Sequence, residues 1–509
     1  MQRYIAKIIV LLQPLSSKIG PLLRMEITLP RIQFGCVSAS ALVLLASHPA
    51  AAQTMPGMAM PNMDHADHNA AAPPPKAVPA VPADPVPTTS PHPTDHGAMH
   101  DMKGMGGMEG MDMSADPSHT GHAMMHGALG PYSMARDASG TAWQPDSEPH
   151  QGIHGQLGGW KTMLHGYATA IYDDQGGRRG DSKTFVQSHV MVMAQHSVGE
   201  DTLTLHGAFS LDPLMGNAGY PLLLQTGETA DGKTPLIDRQ HPHNLFSELS
   251  ATYSHLLGPD TTVFVYVGYP GEPALGPVTY LHRFAGMANP ETPIDHHWLD
   301  STHVTFGVVT GGIVKGPFKL EVSDFTGREP DQHRWGFNRP RFDSWSTRLT
   351  FNPAANWSMQ ISYGSLHSPE QLTPEVNQKR ITASATYNRP LAHGNWETSV
   401  AWGQDRNQPG NKLNAYLAES ALNIGANTVF GRAENADKDE LFVSGSQQAG
   451  QIFNVSKFSL GYFRTLQTVP HLALDLGGLA SKYALPATLN TSYGHHTTSF
   501  MLFARVRFN

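Results

Sequence analysis

Cysteine is almost absent. The 509-residue chain holds one, Cys36, so no intrachain disulfide can form. Charge is sparse at 15% of residues, and 34 Lys and Arg stand against 42 Asp and Glu. Within residues 53–150 the balance is three Lys/Arg against eleven Asp/Glu, a sign that disfavours nucleic acid as a partner and favours cations. Long apolar runs are missing as well. No segment reaches the roughly 18 consecutive apolar residues that a spanning helix requires. Two classes remain: a soluble protein outside the cytoplasm, or a chain that crosses a membrane as a closed barrel, which needs no apolar run. Signatures of catalysis are lacking too, with no G-x-S-x-G, no H-E-x-x-H and no Gly-rich phosphate loop. The expectation is a protein that is not an enzyme.

The N-terminus accounts for the cysteine. Arg31 gives a positive flank, residues 37–46 form a short apolar stretch, and Ala50, Ala51 and Ala52 suit a cleavage site. These are the parts of a secretory signal peptide, so residues 1–52 are read as one, with Met25 as the cleaner start. A membrane anchor fits less well, because the run is short and His48-Pro49 breaks it. The mature chain then begins near Gln53 with no cysteine.

Residues 53–150 are low in complexity. A Pro/Ala spacer separates "MPGMAMPNMDHADH" from "HGAMHDMKGMGGMEGMDMSADPSHTGHAMMH", with three Lys/Arg against eleven Asp/Glu. No period of helix or strand runs through them, which predicts a disordered tail. Thirteen of the 22 methionines lie between 55 and 134, in sequence that offers no core to pack into. Thioether sulfur is a soft neutral ligand that selects Cu(I), and imidazole suits Cu(II), Zn and Ni. The candidate ligands are His65, His68, His96, Met99, His100, Met102, Met105, Met108, Met111, Met113, His119, His122, Met124, Met125 and His126. Copper, Cu(I) first, is the expected metal, with Ag(I) or Zn(II) as alternatives.

From Trp160 the texture changes. "SWSTRLTF" sets Trp345, Thr347, Leu349 and Phe351 on one face and Ser346, Arg348 and Thr350 on the other, and "NWSMQISYG" repeats the pattern. Period two predicts strands. Sixteen such segments begin near 161, 184, 201, 245, 260, 303, 315, 343, 356, 379, 394, 413, 426, 455, 471 and 498. Short turns (Gly199-Glu200, Gly258-Pro259, 352–356, Gly425) alternate with longer loops (172–183, 212–244, 270–302, 327–342, 367–378, 436–453, 480–497). The expected fold is all-β: an outer-membrane antiparallel β-barrel over residues 151–509, with Trp357, Tyr363, Trp396 and Trp402 in interfacial girdles. A secreted sandwich would give no reason for the alternation of loop lengths. The final strand, "SFMLFARVRFN", resembles the assembly signal of Gram-negative barrels, although Asn509 follows its last phenylalanine. If the chain enters the first strand after Arg136, the tail lies in the periplasm.

Two long loops carry a second candidate site: His241 and His243 in "IDRQHPHNLF", then Glu272, His282, Asp295, His296 and His297 in the next, with His303 just beyond. Folded inward, they would constrict a sixteen-stranded pore and pass ions between weak sites. The competing reading is hydrogen-bonded loop packing. "GREPDQHRWGF" (Arg328, Glu329, Asp331, His333, Arg334) reads more simply as a salt-bridged loop.

On "MPNMDHADH" and "HGAMHDMKGMGGMEGMDM" the tail resembles the N-terminal region of the outer-membrane copper resistance protein B family. The likeness implies a signal peptide, a metal-binding tail and a barrel. The body, with "ASGTAWQPDS", "DRQHPHNLF", "GEPALGP" and "GREPD", resembles uncharacterised outer-membrane proteins with similar tails, which implies a location and a metal theme but no reaction. The resulting expectation is a barrel in the lipid outer membrane that binds copper through its tail. It would contribute to resistance by sequestration or export, with periplasmic copper-handling proteins as partners. The alternatives are a general or substrate-specific porin with an incidental tail and, third, a barrel hydrolase. A peptide of residues 96–126, titrated with Cu(I), Ag(I) and Zn(II), should bind the two soft ions more tightly. Zn(II) binding as tightly as Cu(I) would contradict the thioether assignment.

Overall fold

A strand with polar side chains on one face and apolar ones on the other must bury one face against protein and give the other to a different medium. In the computed structural model, which describes residues 126–149 and 152–508, that medium surrounds the molecule. Sixteen strands close into one antiparallel barrel. They are β1 (Trp160–Gln175), β2 (Ser182–Val198), β3 (Asp201–Phe209), β4 (Phe246–Gly258), β5 (Thr261–Gly268), β6 (Val308–Lys315), β7 (Phe318–Phe325) and β8 (Ser344–Phe351). The second half comprises β9 (Trp357–Leu366), β10 (Asn377–Leu391), β11 (Gly394–Gln408), β12 (Lys412–Ile424), β13 (Asn427–Lys438), β14 (Phe453–Val469), β15 (Leu472–Ala484) and β16 (Thr498–Phe508). Closure comes from β16 pairing with Tyr167–Gln175 of β1, and a short extra strand, Ile153–Leu157, folds back on the beginning of β1.

Each predicted strand is present, and the alternation has the predicted sense. On β7, Leu320 and Val322 are about half exposed while Lys319 and Glu321 are fully buried. On β8, Trp345 and Leu349 face out and Arg348 faces in. An apolar outer face around a polar interior is the arrangement a lipid-facing barrel requires. Aromatic pairs sit on the outer face near the short turns, with Trp357 and Tyr387 rings 4.8 Å apart and Phe318 and Phe351 rings 4.6 Å apart. Three expectations shift. The fifth-to-sixth connection runs to Val308 rather than 303, several strands have 15 to 17 residues, and the β11–β12 link at the loop end is as short as a turn.

The lumen is filled. Two long connections fold into it, 210–245 between β3 and β4 and 269–307 between β5 and β6. The first carries a hairpin of Tyr220–Thr229 and Pro235–Gln240 whose Leu222, Leu223 and Leu224 are wholly buried. The second is held by the wall. Glu397 accepts the Ala285 N–H at 2.7 Å and Glu434 that of Ile294 at 2.5 Å. Lys438 donates to the Ile294 carbonyl at 2.7 Å, and Arg505 to that of Met287 at 2.7 Å. Glu419 on β12 takes Arg283 of the loop at 2.6 Å and Arg432 of β13 at 3.0 Å.

Residues 126–149, grouped with the tail on composition, also pack in the lumen, at the end where the short turns lie. Lys319 donates to the Thr141 carbonyl, Arg348 to the Thr141 hydroxyl at 3.1 Å, and Asn352 to the Gln144 carbonyl at 2.9 Å. Met134 and Trp143 are buried there, so Met134 has the packing that the tail composition seemed to deny it.

Replacing Glu419 with alanine removes the carboxylate shared by two buried guanidiniums, leaving Arg432 with the Glu291 and Gly286 carbonyls and Arg283 with Asp300 and the Val278 carbonyl. Breaking a buried pair in this way costs about 3–5 kcal/mol. Denaturant unfolding in lipid should show that loss, and the loosened loop should raise single-channel conductance. Unchanged values on both counts would mean that Glu419 does not hold the plug.

Candidate functional site

Histidine is expensive to bury, so a buried group of imidazoles needs partners for its ring nitrogens. The inward loops gather such a group. His243 and His303 rings lie 5.3 Å apart, His296 and His303 5.1 Å, His296 and His297 5.7 Å, and His241 and His297 6.2 Å. Carboxylates hold the outer edges: Asp212 on His243 Nδ1 at 2.9 Å, Asp300 on His296 Nδ1 at 2.6 Å, and Glu228 on His241 Nε2 at 3.2 Å. His303 Nδ1 lies 2.8 Å from the Asp300 carbonyl, to which it donates in the neutral ring. That tautomer turns a lone pair at Nε2 inward, where the atom is buried and meets no hydrogen-bond partner. His297 Nε2 is in the same position. An imidazole fixed through one nitrogen with the other left open is how metal-ligating histidines are presented.

One side of the group opens onto carboxylates. Ligand atoms of His297, Glu329 and Glu370 all lie within 4.8 Å of one another, close enough to share an ion. Glu329 comes from the 326–343 loop, the segment expected to be only a salt-bridged loop. Its Arg334 does pair with Glu228, while Glu329 reaches His297 at 3.5 Å. Glu228, Glu370 and Asp212 carried no signal in the sequence, since each stands apart from the histidines, Asp212 and Glu228 in the 210–245 connection and Glu370 in that between β9 and β10.

Of the residues proposed from sequence, His241, His243, His296 and His297 converge as expected, together with His303. Glu272 does not join them. It lies apart from them, where its backbone N–H donates to Tyr266 at 3.1 Å and burial pushes its carboxyl up to about 8 despite nearby Arg348. Asp295 faces the wall, where burial and then Glu434 raise its carboxyl, with Arg432 opposing them. His282 belongs to a separate group, its ring 5.4 Å from that of His189. Among the tail ligands only His126 is within the described residues, exposed and with its carbonyl accepting from Gln195 at 3.2 Å. His65, His68, His96, Met99, His100, Met102, Met105, Met108, Met111, Met113, His119, His122, Met124 and Met125 lie outside them, as does the signal peptide.

Strand closure, an apolar exterior and inward-folded loops define a membrane-spanning barrel of porin type. No protein-family model matches the chain, and no curated protein matches it. Solved structures similar in fold include the anion-selective porin from Comamonas acidovorans (12% identity, TM-score 0.41, covering 69% of this chain and 100% of that one). OmpF of Salmonella typhi, in a complex with daunomycin, shows 10% identity and a TM-score of 0.44 over 70% of this chain and all of its own. The DcaP channel of Acinetobacter baumannii shows 10% identity and a TM-score of 0.39 over the same shares. These likenesses concern the barrel alone.

Burial, and after it the neighbouring imidazoles, holds His241, His297 and His303 well below the ordinary histidine range. Unfolded, each would protonate near pH 6.5. Between that value and the lower folded one, the unfolded chain binds the extra proton, so stability falls as pH drops below 6.5 and is flat above it. Glu329, raised by burial to about 7, acts in the opposite direction, so the imidazole effect is read against a variant. Relative to His303→Gln, the metal-free protein should lose about 1.4 kcal/mol per pH unit below 6.5 in denaturant unfolding. A difference that stays constant from pH 7.5 to 5 would show that His303 is not held neutral.

Proposed function

We propose that this porin-like barrel is a selective outer-membrane channel for transition-metal ions, copper foremost, and not an open pore for small solutes. The observation that carries the reading is the set of five imidazoles in the lumen, two of them with a buried ring nitrogen facing no donor. Weak sites at close spacing suit conduction, because an ion can be bound and then displaced. Loops that occupy the lumen argue for selection over bulk flow.

The tail supports copper within that class. The described chain begins at His126, inside the short-turn end of the barrel, and short turns of outer-membrane barrels face the periplasm. Cu(I) held by the methionines of the tail would be suited to export or to sequestration. This is transport chemistry, with the metal as cargo.

A plain substrate-specific porin is the second reading. A cavity of about 520 Å³ at the turn end, lined in part by Arg505 and Arg507, favours it. Proteoliposomes holding the full-length protein separate the two. The His297→Ala/His303→Ala double variant should cut copper flux by about tenfold or more, as loss of ligating groups does, while a small neutral sugar stays excluded from both forms. Sugar passing through the intact protein, with copper flux unchanged in the variant, would establish the porin reading instead.

A further inference from the structure

The lumen holds apolar clusters as well as paired charges, and Met501 packs into one of them, so methionines gathered outside those clusters ask for an explanation. Eight methionines fall within the described residues, and five of them (Met134, Met163, Met191, Met193 and Met287) line one cavity of about 90 Å³. His165, His206 and His282 line it as well. Strand register produces most of the arrangement. Met163 on β1 pairs across to Met193 on β2, which pairs to His206 on β3. One step along, His165 pairs to Met191. All five side chains point inward, and residues directly opposite on neighbouring strands hold their Cβ atoms about 4.5–5.5 Å apart. Met287 and His282, from the 269–307 loop, close the cavity from above.

These methionines stand outside the apolar clusters of the core. Met134, Met191 and Met193 are buried, yet none of the five belongs to any of the four apolar clusters among the described residues. Their neighbours are imidazoles and the acidic Asp137 and Glu148. His189, which stands next inward along β2, is buried with its Nε2 unpartnered and its ring against His282.

We propose that this cavity is a second metal site, distinct from the central imidazole group, and that it takes a soft monovalent ion, Cu(I) or Ag(I), on thioether sulfurs with imidazole support. Thioethers give little to Zn(II) and need no deprotonation, so four sulfurs on two strands and a loop discriminate by softness and not by charge. Access is built in. The larger turn-end cavity shares Pro149, His165 and Met287 with this one, so an ion entering there meets the site first. Gln195, the next inward position after Met193, holds the carbonyl of His126. The site stands whether or not the central group conducts.

The experiment is anomalous diffraction from crystals of the full-length protein soaked in Ag(I), combined with silver stoichiometry. A silver peak bounded by Met163, Met191 and Met193 is expected. Met163→Leu/Met193→Leu keeps volume and apolarity, so the barrel should fold as before. It should abolish that peak, lower the silver bound by one equivalent and leave any peak at His297 and His303 in place. His297→Ala/His303→Ala should do the reverse, which separates failure of this site from failure of the central one. No silver in the cavity, or a peak that survives the leucine pair, would overturn the proposal.

Discussion

Everything inside this barrel depends on charges that have no water to fall back on. Glu419 shows the constraint at its most compact, with one oxygen on Arg283 of the inward loop and the other on Arg432 of the wall. Removing the carboxylate would leave both buried guanidiniums short of a countercharge, and removing them would leave a buried carboxylate unpaired. Around this point the wall becomes a scaffold for loop backbone. Its acids cap amides and its bases cap carbonyls, in the roles that secondary structure plays elsewhere. Lys457 and Glu291 repeat the arrangement two strands further on. The loop is thus a structural layer of the barrel, and whatever its side chains present is presented rigidly.

Rigidity gives the imidazole group its chemistry. A histidine on a mobile loop would sample protonated and solvated states. Here Asp212, Asp300 and Glu228 hold ring edges from separate segments, and the 326–343 loop supplies Glu329 from the far side. Of the ring nitrogens left over, those of His297 and His303 are buried and meet no hydrogen-bond partner. Open ligand atoms and the lowered imidazoles of His241, His297 and His303 are consequences of one packing arrangement.

Strand positions were legible because period two depends only on local sequence and on the two media, and lipid outside with charge inside makes the alternation strong. Arg348 between Thr347 and Leu349 needed no tertiary knowledge to be placed inward. The histidines of 241–243 and 296–297 were legible as a candidate because they cluster in sequence. Glu272 and Asp295 looked equivalent to them and were not, since a long loop turns its residues toward different walls and composition does not say which. Glu228, Glu329 and Glu370 stand in three separate connections and meet only after the plug assembles. Met191 and Met193 fall between these cases. In "HVMVMAQH" they share a face with His189 and Gln195, the face that period two assigns to the lumen. Methionine on the polar face of a lipid-facing strand is the signal that sequence offered there, and it becomes visible once the face is known.

Two ligand types in series also solve a problem of exchange. A cuprous ion on several thioethers is held by neutral donors, with no proton to displace and no net charge to pull it back. Farther in, His282 and His189 stand between the sulfur-lined cavity and the group of His243, His296 and His303, where carboxylates stand behind the rings. Under the proposed reading an ion moves from soft neutral donors toward harder donors backed by negative charge. Each transfer then trades one favourable interaction for another of a different kind. A single deep site would bind more tightly and release more slowly, whereas a graded file binds well enough to select and loosely enough to pass the ion on.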